Sequence, residues 1–200
     1  MSYTIHHTKG IVMKNTSSGE ANYLINLFTK DFGLITAHAQ GVREIKSKLR
    51  YHLQYLSYSD IDLVFGKSGW RITNAAEKKI FFPVSFHEYE TQRHAAIVAR
   101  VSSLLRRLLK GEEKNEPLFR DIVSGFTLLS SGELVKEDAR AAEIVIVMRV
   151  LDHLGYWGED ATLSPFLAGD ICDRDRILNI KKQTPRAIGA INRALQETQL

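Results

Sequence analysis

The chain reads as an α+β, multidomain protein: a small five-stranded β-barrel at the N-terminus, then an all-α helical domain. Three observations predict this. Short stretches of period-two alternation, separated by turn residues, fill the first 80 residues. Helical spacing with start and stop signals takes over after Pro83. The positive surplus is confined to the first part, with 11 Lys/Arg against 6 Asp/Glu in residues 1–80 and 16 against 17 in residues 81–200.

The strands come first. Ile5 to Lys14 is an extended stretch that ends in the polar turn Asn15 to Gly19. Ala21 to Thr29 follows, with Tyr23, Ile25 and Leu27 at period two. Lys30-Asp31-Phe32-Gly33 is a short turn with a late glycine, as in a bulged hairpin. Leu34 to Gln40 sets Ile35, Ala37 and Ala39 against Thr36, His38 and Gln40, one dry face and one wet. Ser59 to Phe65 places Ile61, Leu63 and Phe65 opposite Asp60 and Asp62. Gly66 to Gly69 is a turn, and Trp70 to Ala75 is the fifth strand. A flat sheet of such strands has two open edges, which closure removes. The strand count and the long excursion Gly41 to Gln54 favour an OB-type barrel, although other five-stranded barrels fit the same pattern.

The helices follow. Thr91 to Lys110 carries Ala95, Val98, Val101, Leu105 and Leu108 near helical spacing and stops at Gly111. Glu116-Pro117 opens a second helix that runs to Ser130, with proline tolerated in the first turn. Lys136 to Leu154 is a third, apolar enough from Ile144 to Leu151 to be central, and Gly155 ends it. Residues 158–180 show no clear pattern, and Thr184-Pro185 opens a last helix. The expected domains are 1–80, the nucleic-acid-binding barrel, and 81–200, the helical domain.

Composition narrows the classes. Hydrophobic residues at 44% and charged residues at 25% suit a globular protein with a real core and exclude wholesale disorder. The longest apolar run, Ile144 to Met148, is far too short for a bilayer. Met1 to Gly10 has no apolar signal region, and Cys172 is the only cysteine, so the expected compartment is the cytoplasm. No P-loop, G-x-S-x-G or G-x-G-x-x-G occurs, so the expectation is a non-enzyme. No histidine pair has the i,i+4 spacing of a helical metal site and Cys172 has no C-x-x-C partner, so neither a metal nor another cofactor is expected. Asp170, Asp173 and Asp175 alternate with Arg174 and Arg176, a self-neutralised loop.

The candidate site is the segment Gly41 to Arg50. Arg43, Lys46, Lys48 and Arg50 face the single acid Glu44, with little apolar periodicity among them. Such a loop beside a barrel can track phosphates, and Lys9 and Lys14 add charge to the same domain. A single-strand binder also stacks bases on aromatic faces. Phe32, in a turn, and Tyr51, beside the basic run, are the expected exposed rings.

The order Gly10-Ile11-Val12, Gly19-Glu20, Leu27-Phe28-Thr29, Gly33, Gly41-Val42-Arg43, Ser47, Leu53-Gln54 and Ile72 to Glu77 resembles the N-terminal half of the RecO family of recombination mediators. His153-Leu154-Gly155-Tyr156 is a weaker echo in the helical half. The resemblance implies an OB barrel plus helices and binding of single- and double-stranded DNA. It also implies strand annealing, and work with RecR to load RecA on DNA coated by single-strand-binding protein, at the bacterial nucleoid. A candidate role of the helical domain is to hold the acidic, apolar tail of single-strand-binding protein, which needs an apolar groove flanked by cations. The cations for that tail would be Arg140 and Arg149, or Arg106 and Arg107, although ordinary surface arginines satisfy the same pattern. Many family members carry a cysteine-rich zinc module after the Leu-Gly-Tyr helix, where this chain offers only Cys172. A protein-interaction adaptor and an RNA-binding barrel are the alternative functions.

Overall fold

The structure, a computed structural model, describes residues 4–82 and 89–198. Its strands are β1 (Ile5–Ser18), β2 (Asn22–Thr29), β3 (Gly33–Ala39), β4 (Ser57–Gly66) and β5 (Gly69–Ile80), with a one-turn helix α1 (Leu49–His52) between β3 and β4. They form a closed barrel in the order β1-β2-β3-β5-β4, with β4 returning to β1. Every pairing is antiparallel except the short parallel contact of β3 with β5, where Ala37 meets Trp70 and His38 meets Arg71.

Alternation builds the barrel. Val12, Ile25, Leu27, Ile35, Ala37, Ile61, Leu63 and Ile72 fill its interior. Two strands run longer than their patterning. β1 continues through Asn15 to Ser18 because β2 supplies ladder partners for that polar stretch, with Asn15 opposite Ile25 and Ser18 opposite Asn22. β5 continues past Ala75 to Ile80 on the edge of β4. Side chains plug both barrel ends. Beyond the last residue of β3, Val42, Leu49 and Leu53 close one end. Before its first residue, Phe32 packs at the other end with the rings of His6 and Trp70.

The remaining elements are α2 (Tyr89–Leu108), α3 (Glu116–Leu129), α4 (Lys136–His153), α5 (Arg174–Ile180) and α6 (Thr184–Glu197), with 3-10 turns at Ser164–Phe166 and Lys181–Gln183. The chain forms two compact units, Met1–Pro83 with Lys110–Glu116, and Val84–Leu109 with Pro117–Leu200. In the second unit α4 is central and packs on α2, α5 and α6. Its apolar residues cover every face, so nearly all of Ala139 to Leu151 is buried. Gly125 of α3 lies against Ile146 of α4, so close that a Cβ there would fall 2.8 Å from the Ile146 side chain. None of the described helices is long and apolar enough to cross a membrane.

Residues 158–172 carry little regular structure and are held by polar anchors. Asp160 binds Arg186 at 2.9 Å and accepts the amides of Thr162 and Leu163. The Arg186 guanidinium holds the Asp160 carboxyl below the usual carboxylate range. A lowered carboxylate stabilises the fold above its unfolded-state pKa and loses that contribution as pH falls through the lowered value. Asp160→Asn should therefore destabilise the protein at pH 7, and the difference from wild type should shrink toward pH 3. Urea midpoints across that range measure it, and a pH-independent difference would reject the carboxylate's role.

Candidate nucleic-acid interface

The basic loop after β3 is a chain of tight turns, with Glu44 N donating to Gly41 O, Ser47 N to Glu44 O and Arg50 N to Ser47 O. It is fastened to the β1–β2 turn: the Gly41 amide donates to Asn22 Oδ1 at 2.9 Å and the Arg43 amide to Ala21 O at 2.9 Å. The fastening works because Val42, Leu49 and Leu53 sink into the barrel end. The polar residues between them are thereby turned outward, and Arg43, Lys46, Lys48 and Arg50 are all exposed. The Arg43 guanidinium donates to Gly19 O at 3.0 Å and lies over the Tyr23 ring, so it also secures the loop. No acidic group pairs with Lys46, Lys48 or Arg50 among the described residues. Ile45 is 85% exposed and Tyr51 61% exposed, so the loop presents apolar as well as cationic surface.

Lys14 and Lys9 part company. Lys14 follows a bulge in β1 and stands opposite Asn26, which bonds Thr36 of β3. It therefore belongs to the outer face of β1, β2 and β3. One row along, Leu24 pairs with Thr16 and His38, and His38 pairs with Arg71. Lys9 lies opposite Asp60 and lines a recess with Lys30, Asp31, Asp60 and Asp62. The acids there are engaged by other cations, Asp60 by Lys78 at 2.8 Å and Asp31 by Lys114 at 3.3 Å. Lys30 is itself paired with Glu116 at 3.0 Å, which raises its pKa. Lys9 thus stands in a recess of mixed charge on β1 and β4, not on the loop.

The row ending at Arg71 opens into a groove that sequence reading did not identify. His38, Gln40, Val64, Lys67, Trp70 and Arg71 line it, and none of its lining residues is acidic. It runs from the parallel contact of β3 and β5 to the tight turn after β4. Lys30, Lys78 and Lys114 are thus ion-paired, whereas Lys46, Lys48 and Arg50 on the loop, Lys14, and Lys67 and Arg71 at the groove carry no ion pair among the described residues. The wet side of β3 was legible in the alternation of Thr36, His38 and Gln40. Its partner Arg71 was not, because nothing local marks a parallel pairing.

The aromatic expectations divide as well. Phe32 is half-buried, with its ring centroid 4.9 Å from that of Trp70 and 5.5 Å from that of His6, so it is a plug rather than an exposed platform. Phe65 is the ring left open at that end, at 56% exposed.

In the helical unit, Arg140 is exposed on α4. Arg107 is exposed and Arg106 half-buried in the last turn of α2. Arg149 is not available to a partner, which corrects its assignment as a docking cation. It is 2% exposed, and its guanidinium donates to Phe166 O at 3.0 Å, Ala168 O at 2.8 Å and Gly169 O at 2.9 Å. Asp121 completes the set at 3.3 Å and also binds His153 Nε2 at 2.9 Å. Asp173 caps α5 by accepting the amides of Asp175 and Arg176, and Asp170 accepts the amide of Cys172. No group of three metal-ligating side chains occurs among the described residues.

The family model described as the N-terminal domain of recombination protein O matches residues 1–77. The chain is 31% identical over 125 residues to the DNA repair protein RecO of Dehalococcoides mccartyi (strain CBDB1), covering 62% of this chain and 48% of that one. It is 31% identical over 158 residues to the RecO of Heliobacterium modesticaldum, covering 78% and 53%, and 29% identical over 141 residues to that of Alkaliphilus metalliredigens, covering 70% and 56%. The chain spans about half the length of the curated relatives it matches.

Proposed function

We propose that the chain is a RecO-like recombination mediator in DNA repair, a cytoplasmic DNA binder without catalytic chemistry of its own, a reading supported by the match of residues 1–77 to the recombination protein O N-terminal model. The observation that carries the reading is the open set of cations on the barrel. Lys46, Lys48 and Arg50 on the loop, Lys14 on the sheet face, and Lys67 and Arg71 at the groove carry no ion pair among the described residues, and no acid lines the groove. Phosphate binding needs cations of this kind, neither neutralised nor buried, along a path a strand can follow.

If four of these cations touch a single strand, log K should fall with log salt at a slope of about −3, near 0.7 per contact. Lys46→Glu/Lys48→Glu and Lys67→Glu/Arg71→Glu should each weaken binding and flatten the slope by about 1.4. Lys9→Glu should leave both unchanged. Anisotropy of a labelled oligonucleotide between 50 and 300 mM salt (roughly the range where such slopes are read) measures all three. A flat salt dependence, or no oligonucleotide binding, would leave a protein-interaction adaptor in its place. Preference for a matched RNA strand would favour the RNA-binding reading.

Duplex binding, strand annealing, cooperation with RecR and capture of the tail of single-strand-binding protein belong to the same proposal and are supported by the resemblance. In the helical unit the candidate contact for that tail is Arg140. A strand-annealing assay with and without single-strand-binding protein tests these steps.

A further inference from the structure

We infer that Phe65 is a base-stacking platform at the lip of the acid-free groove, which makes that groove a site for unpaired bases rather than for phosphates alone. The inference rests on the DNA-binding reading above and adds to it the chemistry of the ligand.

A lone exposed phenylalanine needs no explanation, since apolar atoms make up much of any protein surface. Phe65 differs in how it is held. It sits between Val64 and Gly66, both groove-lining residues, and opposite Trp70, a third, in the ladder of β4 and β5. The parity of Ile61, Leu63 and Phe65 would turn its side chain toward the interior, but the strand has reached the barrel end and the ring emerges there. Its centroid lies 4.9 Å from that of Trp70 in an edge-on contact. Trp70 is itself fixed, with its ring N–H donated to Glu112 Oε2 at 2.9 Å and the Phe32 and His6 rings behind it. The exposed ring is thus backed by a rigid aromatic stack, so stacking a base on it costs little side-chain freedom. That arrangement suits a flat, π-faced ligand.

The surroundings indicate what the ligand carries. Lys67 follows Phe65 by two residues and Arg71 follows Trp70, and no acid is among the groove-lining residues, while the nearby Glu112 carboxylate is held by the Trp70 ring N–H. Cations in a groove that adjoins an exposed aromatic ring match a base joined to a phosphate. An apolar protein segment would have no use for them. Duplex DNA keeps its bases stacked and offers no free face except at an end, so the platform favours single strands.

The test compares a thymidine 12-mer with an abasic strand of the same length and charge, using the full chain. Phe65→Ala should weaken the thymidine strand about ten-fold, leave its salt slope unchanged and leave the abasic strand unaffected. Phe65→Trp should restore binding. Lys67→Glu/Arg71→Glu should weaken both strands and flatten the slope for both. Near-ultraviolet circular dichroism of Trp70 checks that the variants keep the aromatic stack. Wild-type affinity of Phe65→Ala for the thymidine strand, or equal losses for both strands, would overturn the platform while leaving DNA binding in place. Failure of the wild-type protein to bind either strand would overturn the platform together with the reading beneath it.

Discussion

Replacing Arg149 with alanine should destabilise the helical unit by about 3–5 kcal/mol, the range for breaking a buried charged network by removing one partner. The guanidinium supplies donors to three successive stretches of backbone, at Phe166, Ala168 and Gly169, and to Asp121. Its loss leaves the buried Phe166 carbonyl and the part-buried Ala168 and Gly169 bonds without this donor, and leaves Asp121 bound to His153. For a chain of this size the fall in melting temperature should be about 10 °C, at roughly 2–4 °C per kcal/mol. Arg149→Met should fare no better, since it fills volume without supplying donors. Arg149→Lys should recover a minor part, because one ammonium cannot reach three carbonyls at once. Urea unfolding gives the energies, and amide exchange around residues 166–169 shows where the protein loosens. A melting temperature within 1–2 °C of wild type, the usual range for a surface substitution, would refute the buried-anchor role and return Arg149 to the list of docking residues.

Gly33→Ala should cost about 2–4 kcal/mol and concentrate its damage at one barrel end. Gly33 has φ +64°, a left-handed conformation that disfavours any side chain. A Cβ there would fall 2.3 Å from Glu113 O and 2.8 Å from Glu113 N, and these are backbone atoms that cannot rotate away. The turn before it is also tight, with Thr29 Oγ1 donating to Gly33 O and accepting the Phe32 amide. The segment Lys110–Glu116 must therefore lift, although Glu112 is tied to Trp70, Lys114 to Asp31 and Glu116 to Lys30. Differential scanning calorimetry gives the loss of stability, and a shift in tryptophan emission reports the release of Trp70. An unshifted melt with native emission would mean that the segment does not press on Gly33.

The barrel was legible in the sequence because its signal is local. Ile35, Ala37 and Ala39 alternate with Thr36, His38 and Gln40, and the former are in the core. The basic run from Arg43 to Arg50 was legible for the same reason, as neighbours in sequence share one loop. The groove was not, because His38 and Arg71 meet only through a parallel pairing of two residues. The acids around Lys9 were not legible either, because they arrive from β4 and from the turn after β2. Arg149 misled because an arginine on a helix is ordinarily at the surface. The apolar run around it left α4 no solvent face there, and that uniformity was the clue that the arginine points inward.

The short segment Lys110–Glu116 gives the barrel an unusual heredity. It is part of the first unit, yet the chain crosses between units three times to place it there. A gene fragment ending at Pro83 would encode all five strands and still lack the acceptor for the Trp70 ring nitrogen and the backbone that covers Gly33. The barrel is therefore not a cassette that recombination or cloning can lift out by a single cut. An insertion or deletion between α2 and α3, far from the strands in sequence, would be felt at the barrel's aromatic end.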